Sequence, residues 1–444
     1  MAEKKPVPTP VRPAPIHALT LPVRRFLRVE AASGVLLLVC AAVAMILANS
    51  PAAEAVARFW HTPVVLGVGD WVLTKPLDWW VNDGLMTIFF FVVGLEVKRE
   101  IAVGELRTVR KAALPMIAAI GGMVGPALVY LSFGHDPAAR RGWGVPMATD
   151  IAFVVGVMAL FGPRVPLGLK VFLLTLAIAD DMGAVIVIAL VYTPDVSMTM
   201  LALSGAGFAV IILMNQLGVR PVPVYVVVGA ATWLAMYKSQ VHPTVAGVLL
   251  GLLTPYTAWI SRETLRGVLD EFTTKAAADP DQTDIEPADI APIRFAVTEA
   301  VAPLDRLETL LHPWVAFAVM PIFALANAGV VVDVSGLTHA VPMAIAVGLF
   351  VGKLVGILGF SLLAVKTGLA ALPEGVNWGK MAAAAVLGGI GFTMSIFVAG
   401  LAFEGHPELL IEAKEGVLLG SLVSALVGGG LLWVSLPKPD AESK

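Results

Sequence analysis

Apolar windows recur along the whole chain, and each is about the 20 residues that a helix needs to cross the hydrocarbon core of a bilayer. A spanning segment must satisfy all its backbone hydrogen bonds internally, so continuous windows of this length predict an all-α polytopic membrane protein. The composition agrees, since 58% of the 444 residues are hydrophobic and 14% are charged, against about 25% charged in soluble domains. We place twelve transmembrane helices near residues 31–49, 77–101, 113–133, 143–161, 167–192, 199–217, 222–237, 241–254, 313–331, 341–365, 380–403 and 412–436.

Lysine and arginine are distributed unequally between the two sets of loops that these spans define. With the N-terminus in the cytoplasm, 23 of the 30 fall in cytoplasmic loops and tails, six fall outside and Lys353 lies within a span. The positive-inside rule therefore predicts that both termini are cytoplasmic. We expect a disordered cytoplasmic tail over 1–30, a transmembrane domain over 31–436 and a second cytoplasmic tail over 437–444.

Two stretches between the spans differ from simple connecting loops. Residues 62–76 hold two β-rich runs around a glycine-rich turn, which predicts a small external β-hairpin. Its edge could pair with a second copy, so the hairpin is a candidate contact for a homodimer. Residues 262–303 form a cytoplasmic loop insertion, and because acidic residues far outnumber the single Lys275 between 270 and 292, we expect that part to be disordered.

Asp180 and Asp181 lie near the middle of an apolar stretch, residues 176–190. One aspartate at the centre of a membrane helix costs roughly 2.5 to 3.5 kcal/mol on insertion scales, and two cost more unless a cavity, a cation or protons neutralise them. The pair is therefore a candidate ion and proton site, although an aspartate could instead only bond a neighbouring helix. Adjacent helical residues project about 100° apart, so one carboxylate can meet the substrate while the other meets a partner.

Lys353 also lies within an apolar span, and its own helix carries no acid near it. It needs an anion from another helix, and an aspartate of the fifth span is the natural candidate. The alternative is that the side chain extends to a lipid headgroup. The residues alone do not decide which aspartate would pair with it.

Glycine, proline and hydroxyl residues interrupt two of the spans, at residues 142–150 and 388–395. Unwound backbone at membrane depth occurs only where it lines a cavity. If the spans within 113–192 and 341–436 are related triplets, the interrupted members occupy matching positions, which indicates inverted-topology repeats with two crossed discontinuous helices and a site at the midplane. Asp150 would offset the positive ends of the half-helices, and Lys353 would offset their negative ends.

Several segments from the second span to the eleventh resemble the NhaA family of sodium/proton antiporters. They are residues 80–86, 92–100, 148–153, 180–181, 311–314, 326–329, 352–353 and 389–395. The resemblance implies that Asp180 and Asp181 bind the proton and the transported Na⁺, that Asp150 and Lys353 compensate the charges of the interrupted helices, and that Thr149 supports them. The insertion over 262–303 is longer than the family leads us to expect.

The same resemblance implies roles in ion access, pH response or support for five further residues, namely Asp83, Glu96, Glu100, His242 and Glu308. For His242, a plain position at the start of a helix is an equally open interpretation. We therefore expect an electrogenic, pH-activated antiporter of the bacterial inner membrane, surrounded by lipid, that exports Na⁺ or Li⁺ in exchange for H⁺. Two protons would exchange for one sodium ion, with no cofactor, no enzymatic activity and no nucleic acid involved.

Three other functions fit parts of the pattern. A sodium-coupled symporter of an organic solute would need a larger cavity with aromatic or basic groups beside Asp180. An intramembrane aspartyl protease would use paired acids, and residues 67–70 (Gly-Val-Gly-Asp) superficially suit one, but its acids belong on different spans. A membrane scaffold without transport would leave the buried acids unexplained.

Overall fold

The computed structural model describes residues 30–68, 71–134, 136–193, 196–278, 287–331 and 336–436. The tails expected over 1–30 and 437–444 lie outside these residues, apart from Glu30, which begins the first helix. Up to the aspartate pair, the helices are α1 (Glu30–Ala48), α2 (Ala53–Trp60), α3 (Leu77–Ala102), α4 (Val109–Leu131), α5 (Pro137–Met147), α6 (Ile151–Leu160) and α7 (Leu167–Val191).

The second half of the chain is also helical. Its helices are α8 (Met198–Gln216), α9 (Val222–Lys238), α10 (Pro243–Leu253), α11 (Arg262–Ala278), α12 (Pro287–Glu299), α13 (Pro303–Asn327), α14 (Ala340–Lys366), α15 (Trp378–Leu387), α16 (Phe392–Ala402) and α17 (Pro407–Ser435). Single π-turns widen α3 at Trp80–Leu85, α13 at Val315–Val319 and α14 at Gly348–Gly352. Such turns often occur at functional sites, and that of α14 ends directly before Lys353.

Within the described residues, seven helices are long and apolar enough to cross a membrane, or up to ten if each bent pair is one span. The chain is therefore a multi-pass helical membrane protein, as predicted. The helices α9 and α10 are apolar but only 17 and 11 residues long, so the count of twelve spans stays a prediction. Helix α2 was not predicted; it follows α1 after a bend of 116°.

The predicted β-hairpin is present. Its strands β1 (Pro63–Val68) and β2 (Trp71–Pro76) pair antiparallel, with Pro63 opposite Pro76 and Val68 opposite Trp71. The two turn residues 69–70 lie outside the described residues. The hairpin marks one end of the helical bundle, which we call the hairpin face.

The prediction of disorder between residues 270 and 292 was wrong for the described part of that segment, because α11 and α12 are helical there. Counting charges missed the spacing of Leu265, Val268 and Phe272, which are half-buried on one face of α11 at helical intervals. Residues 279–286 lie outside the described residues. The end of α12 is anchored to the body, since the backbone amides of Trp259 and Ile260 both donate to the carbonyl of Glu299.

Both predicted interruptions are confirmed. The α5–α6 pair bends by 43° and the α15–α16 pair by 46° at their breaks. Beside them, α4 and α14 approach closely because glycines face each other: a Cβ on Gly121 would lie 2.2 Å from the carbonyl oxygen of Gly356, and one on Gly125 would lie 2.4 Å from that of Gly352. Small residues at helix contacts allow backbones to approach in this way, and here the contact fixes the helix that carries Lys353.

Candidate functional site

The two helix interruptions meet in the interior. The backbone amide of Asp150, between α5 and α6, donates to the carbonyl of Ile390, between α15 and α16, at 2.7 Å. Thr149 and Asp150 are both buried. The unwound backbone of one interruption is thus hydrogen-bonded to the unwound backbone of the other. Polar backbone groups at these breaks are satisfied inside the protein, away from lipid.

Asp150 faces the first turns of two half-helices. Its Oδ1 accepts from the backbone amide of Phe153 in α6 at 3.2 Å. Its Oδ2 accepts from the backbone amide of Thr393 in α16 at 3.1 Å and from the Thr393 hydroxyl. A carboxylate at a helix N-terminus satisfies orphan amides and offsets the positive end of the helix dipole, and this one does so for two helices.

Lys353 pairs with Asp180. Its Nζ donates to Asp180 Oδ2 at 2.5 Å and to Thr149 Oγ1 at 2.9 Å. The predicted partner on the fifth span is confirmed, and it is Asp180 rather than Asp181. Because the Lys353 side chain is 0% exposed, it does not extend to a headgroup.

Thr149 connects this ion pair to the end of a half-helix. Its Oγ1 lies 2.8 Å from Asp180 Oδ2 and 2.8 Å from the carbonyl oxygen of Gly388, directly after α15. One hydroxyl has one proton, so Thr149 donates to either of these acceptors while accepting from Lys353. Lys353 therefore reaches the negative end of α15 through the Thr149 hydroxyl.

Asp181 differs from its neighbour. Among the described residues, neither of its carboxylate oxygens has a hydrogen-bond partner, and the same holds for Asp180 Oδ1. Both side chains are buried. Buried polar atoms are normally hydrogen-bonded, so three carboxylate oxygens keep unused acceptor capacity that protons or a small, hard cation could take up.

The wall beside the aspartates comes from α4, on which no site residue was predicted. A Cβ on Gly122 would lie 3.6 Å from Asp180 Oδ1, and the sulfur of Met123 packs over Gly183. Neither residue offers ionisable chemistry, which is why they were missed. The available signal was the Gly-Gly pair at 121–122, which indicates close packing rather than a site.

Two of the five further residues meet on the hairpin face. His242 Nε2 lies 3.3 Å from Asp83 Oδ1, and His242 Nδ1 lies 2.7 Å from Thr244 Oγ1. They line a cavity of about 440 Å³ together with Glu404 and Lys414. Both interpretations of His242 fit this position, because it directly precedes α10 and also contacts a carboxylate.

The other three lie at the opposite end of α3 or beside it. Glu96 and Glu100 lie on α3 itself, and Glu308 on α13 accepts from Arg99 Nη1 at 2.6 Å. Arg99 was not among the site residues predicted from the sequence. From Asp83 to Glu96 the helix rises by about 20 Å, so the five residues form two groups toward opposite ends of α3. Of these residues, Glu96 lies close enough to Asp181 for the two charges to interact.

A second cavity, of about 840 Å³, is mostly apolar and runs beside α3 and α9. The residues that line these two cavities do not include Asp180 or Asp181. Neither of these two cavities therefore provides the space beside Asp180 that a symporter of an organic solute would need.

A buried lysine–carboxylate cluster at the meeting point of two interrupted membrane helices is typical of secondary transporters that carry small ions. A family model described as "Na+/H+ antiporter 1" matches residues 24–432. The chain belongs to this family, the NhaA sodium/proton antiporters. The protein is thus a transporter of the bacterial inner membrane rather than an enzyme, and its substrates are Na⁺ and H⁺.

Similar proteins cover nearly the whole chain. A "Na(+)/H(+) antiporter NhaA 2" of Sorangium cellulosum is 50% identical over 415 residues, which are 91% of this chain and 88% of that protein. A "Na(+)/H(+) antiporter NhaA" of Rhodopirellula baltica is 45% identical over 98% of both chains. Another NhaA, of Serratia proteamaculans, is 47% identical over 94% of this chain and 98% of that protein.

Proposed function

We propose that this protein exports Na⁺ in exchange for protons at Asp180 and Asp181, and that Li⁺ can replace Na⁺. The observation that carries the proposal is the buried Lys353–Asp180 pair with the unpaired Asp181 beside it. The transport is electrogenic, with two protons per sodium ion, and it is activated by pH. Asp150, Lys353 and Thr149 hold the site and compensate its charges.

The mechanism is competition for the same oxygens. A dehydrated Na⁺ needs several hard oxygen ligands, which the two carboxylates, Thr149 and the free carbonyls of the interruptions can provide. Protons titrate the same carboxylates. Occupation by either ion neutralises the site, whereas an empty site keeps a buried charge that Lys353 cannot balance alone, so only occupied states cross to the other side.

The charges of the site support electrogenic exchange. Lys353 balances Asp180, so Na⁺ displaces one proton from Asp181, and the second proton of the exchange has to leave the Lys353–Asp180 pair. If two protons, shared among Asp180, Asp181 and Lys353, replace one Na⁺, each cycle moves one net charge. Moving that charge is worth about 2.3 kcal/mol per 100 mV of membrane potential, so the potential helps to drive sodium out.

The two groups of polar residues toward the ends of α3 are access regions in this proposal. Asp83 and His242 line the cavity on the hairpin face, and their pairing supports a role in ion passage or pH response there. Glu96, Glu100 and Glu308 belong to the opposite access region and its response to pH. The salt bridge of Glu308 with Arg99 supports a role at the contact of α3 with α13.

The proposal includes twelve membrane spans, with α9 and α10 counted as spans and both termini in the cytoplasm. The two interrupted helices are the crossed members of inverted-topology repeats. The hairpin at Pro63–Pro76 forms a homodimer contact, which is supported by its free edges and by the exposure of Val65, Leu66 and Val72. Membrane lipid surrounds the remaining apolar surface.

The test uses Asp181→Asn in everted membrane vesicles with an imposed pH gradient. We expect no sodium-dependent collapse of the gradient, because the amide cannot exchange a proton for the cation. Asp305→Asn is the matched control, since Asp305 is exposed at the start of α13, and it should behave as the unchanged protein does. Fast collapse with Asp181→Asn would place the site elsewhere.

A further inference from the structure

We propose that Gly122 on α4 sets which monovalent cation the aspartate site accepts, and that its missing side chain leaves the space that Na⁺ needs. This inference rests on the proposed function and deepens it. It assigns a specificity-determining position on a helix that carries none of the ionisable site residues.

Gly122 differs from its neighbouring glycines in what it faces. Gly121 and Gly125 are needed for backbone packing, because a Cβ on either would clash with a carbonyl oxygen of α14. A Cβ on Gly122 instead meets two side chains, Ile357 at 3.1 Å and Asp180 Oδ1 at 3.6 Å. Packing against α14 explains two of these glycines, but Gly122 borders the site itself.

The oxygen that Gly122 faces is the one left for an ion. Asp180 Oδ2 is occupied by the Lys353 ammonium and lies within hydrogen-bond distance of Thr149. Asp180 Oδ1 is buried and lacks a hydrogen-bond partner among the described residues. A cation that binds Asp180 without displacing Lys353 therefore has to approach Oδ1, beside the bare backbone of Gly122.

Ile357 lies on the same side of the site. Its Cδ1 would lie 3.0 Å from a Cβ on Gly388, the residue whose carbonyl lies beside Thr149. The side chain therefore borders both Gly122 and the interruption of α15–α16. A methyl group added at Gly122 would be confined between Ile357 and Asp180, so it would narrow the space at Oδ1.

Narrowing the space should penalise the larger cation. Li⁺ is smaller than Na⁺ and needs less room beside a carboxylate oxygen, and cavity size is one way in which sites distinguish hard cations. In Gly122→Ala we expect the apparent KM for Na⁺ to rise about tenfold, which corresponds to about 1.4 kcal/mol. The apparent KM for Li⁺ should change much less.

The experiment measures Na⁺/H⁺ and Li⁺/H⁺ exchange of the purified full chain in liposomes, together with Na⁺ and Li⁺ binding by calorimetry. Gly205→Ala on α8 is the matched control, because a Cβ there meets nothing within 4 Å. It should leave both affinities unchanged. Retained Li⁺ exchange in Gly122→Ala also shows that this variant is folded.

A second variant covers the case in which the new methyl group prevents folding. Gly122→Ala combined with Ile357→Ala removes the 3.1 Å contact and is compared with Ile357→Ala alone. A selective loss of Na⁺ affinity in either comparison supports the inference. Equal effects on the Na⁺ and Li⁺ affinities, or no effect on either affinity, would overturn the inference. Absence of all exchange in the unchanged protein would instead overturn the proposed function.

Discussion

At the scale of single residues, the site contains a buried ion pair that is costly to break. Lys353 and Asp180 are both fully buried, and their charged atoms are 2.5 Å apart. Removing one partner of a buried pair typically costs about 3–5 kcal/mol, because the other charge is left uncompensated, whereas replacing both can be nearly neutral. The pair is thus a weak source of net stability but a strong constraint on which single substitutions the site tolerates.

The difference between removing one partner of the ion pair and replacing both can be measured by a double-mutant cycle. Lys353→Met and Asp180→Asn should each lower the stability of the purified protein, with Lys353→Met losing about 3–5 kcal/mol. The double variant should be more stable than the sum of the two losses predicts, by a coupling of about 1–3 kcal/mol. The measurement is unfolding in detergent of all four proteins, and strictly additive losses would show that the two side chains do not interact.

At the scale of elements, Asp150 joins two half-helices that are far apart in the chain. It accepts hydrogen bonds from Phe153 in α6 and from Thr393 in α16. Each buried donor left unpaired costs about 1–3 kcal/mol. One carboxylate therefore holds the start of α6 against the start of α16, beside the ion pair.

Asp150→Ala should consequently destabilise the protein more than Asp150→Asn. Asparagine keeps one oxygen that can cap α6 but loses the negative charge between the two helix starts, whereas alanine leaves the donors of both helices unpaired. Thermal unfolding of both variants and of the unchanged protein, all in the absence of Na⁺ and Li⁺, measures the order of their stabilities. If both variants unfold at the same temperature, the side-chain hydrogen bonds of Asp150 do not hold the two interruptions together.

Much of the site could be predicted from the sequence because its residues are rare in apolar spans. Asp180, Asp181 and Lys353 stand out by their insertion cost, and the interruptions stand out by glycine and proline. The partner of Lys353 could not be chosen, because Asp180 and Asp181 are adjacent and only the packing of α7 against its neighbours decides which one faces α14. Gly122 was missed because its contribution is space rather than chemistry.

At the scale of the whole molecule, the polar residues form three groups along the bundle. Asp83 and His242 lie on the hairpin face, the aspartate pair lies inside, and Glu96 with Glu308 lies toward the other end. A transporter needs a central site that is reached from one side at a time. The order of the three groups fits this requirement, and the length of α3 separates the outer two.

In the proposed mechanism, sodium and protons compete for the same buried carboxylates. Titrating Na⁺ into the purified protein by calorimetry in buffers of different protonation enthalpy counts the protons released per ion bound. We predict a release that approaches two protons per Na⁺ in the unchanged protein and is lost in Asp181→Asn. Tight Na⁺ binding that releases no protons would contradict competition between the two ions.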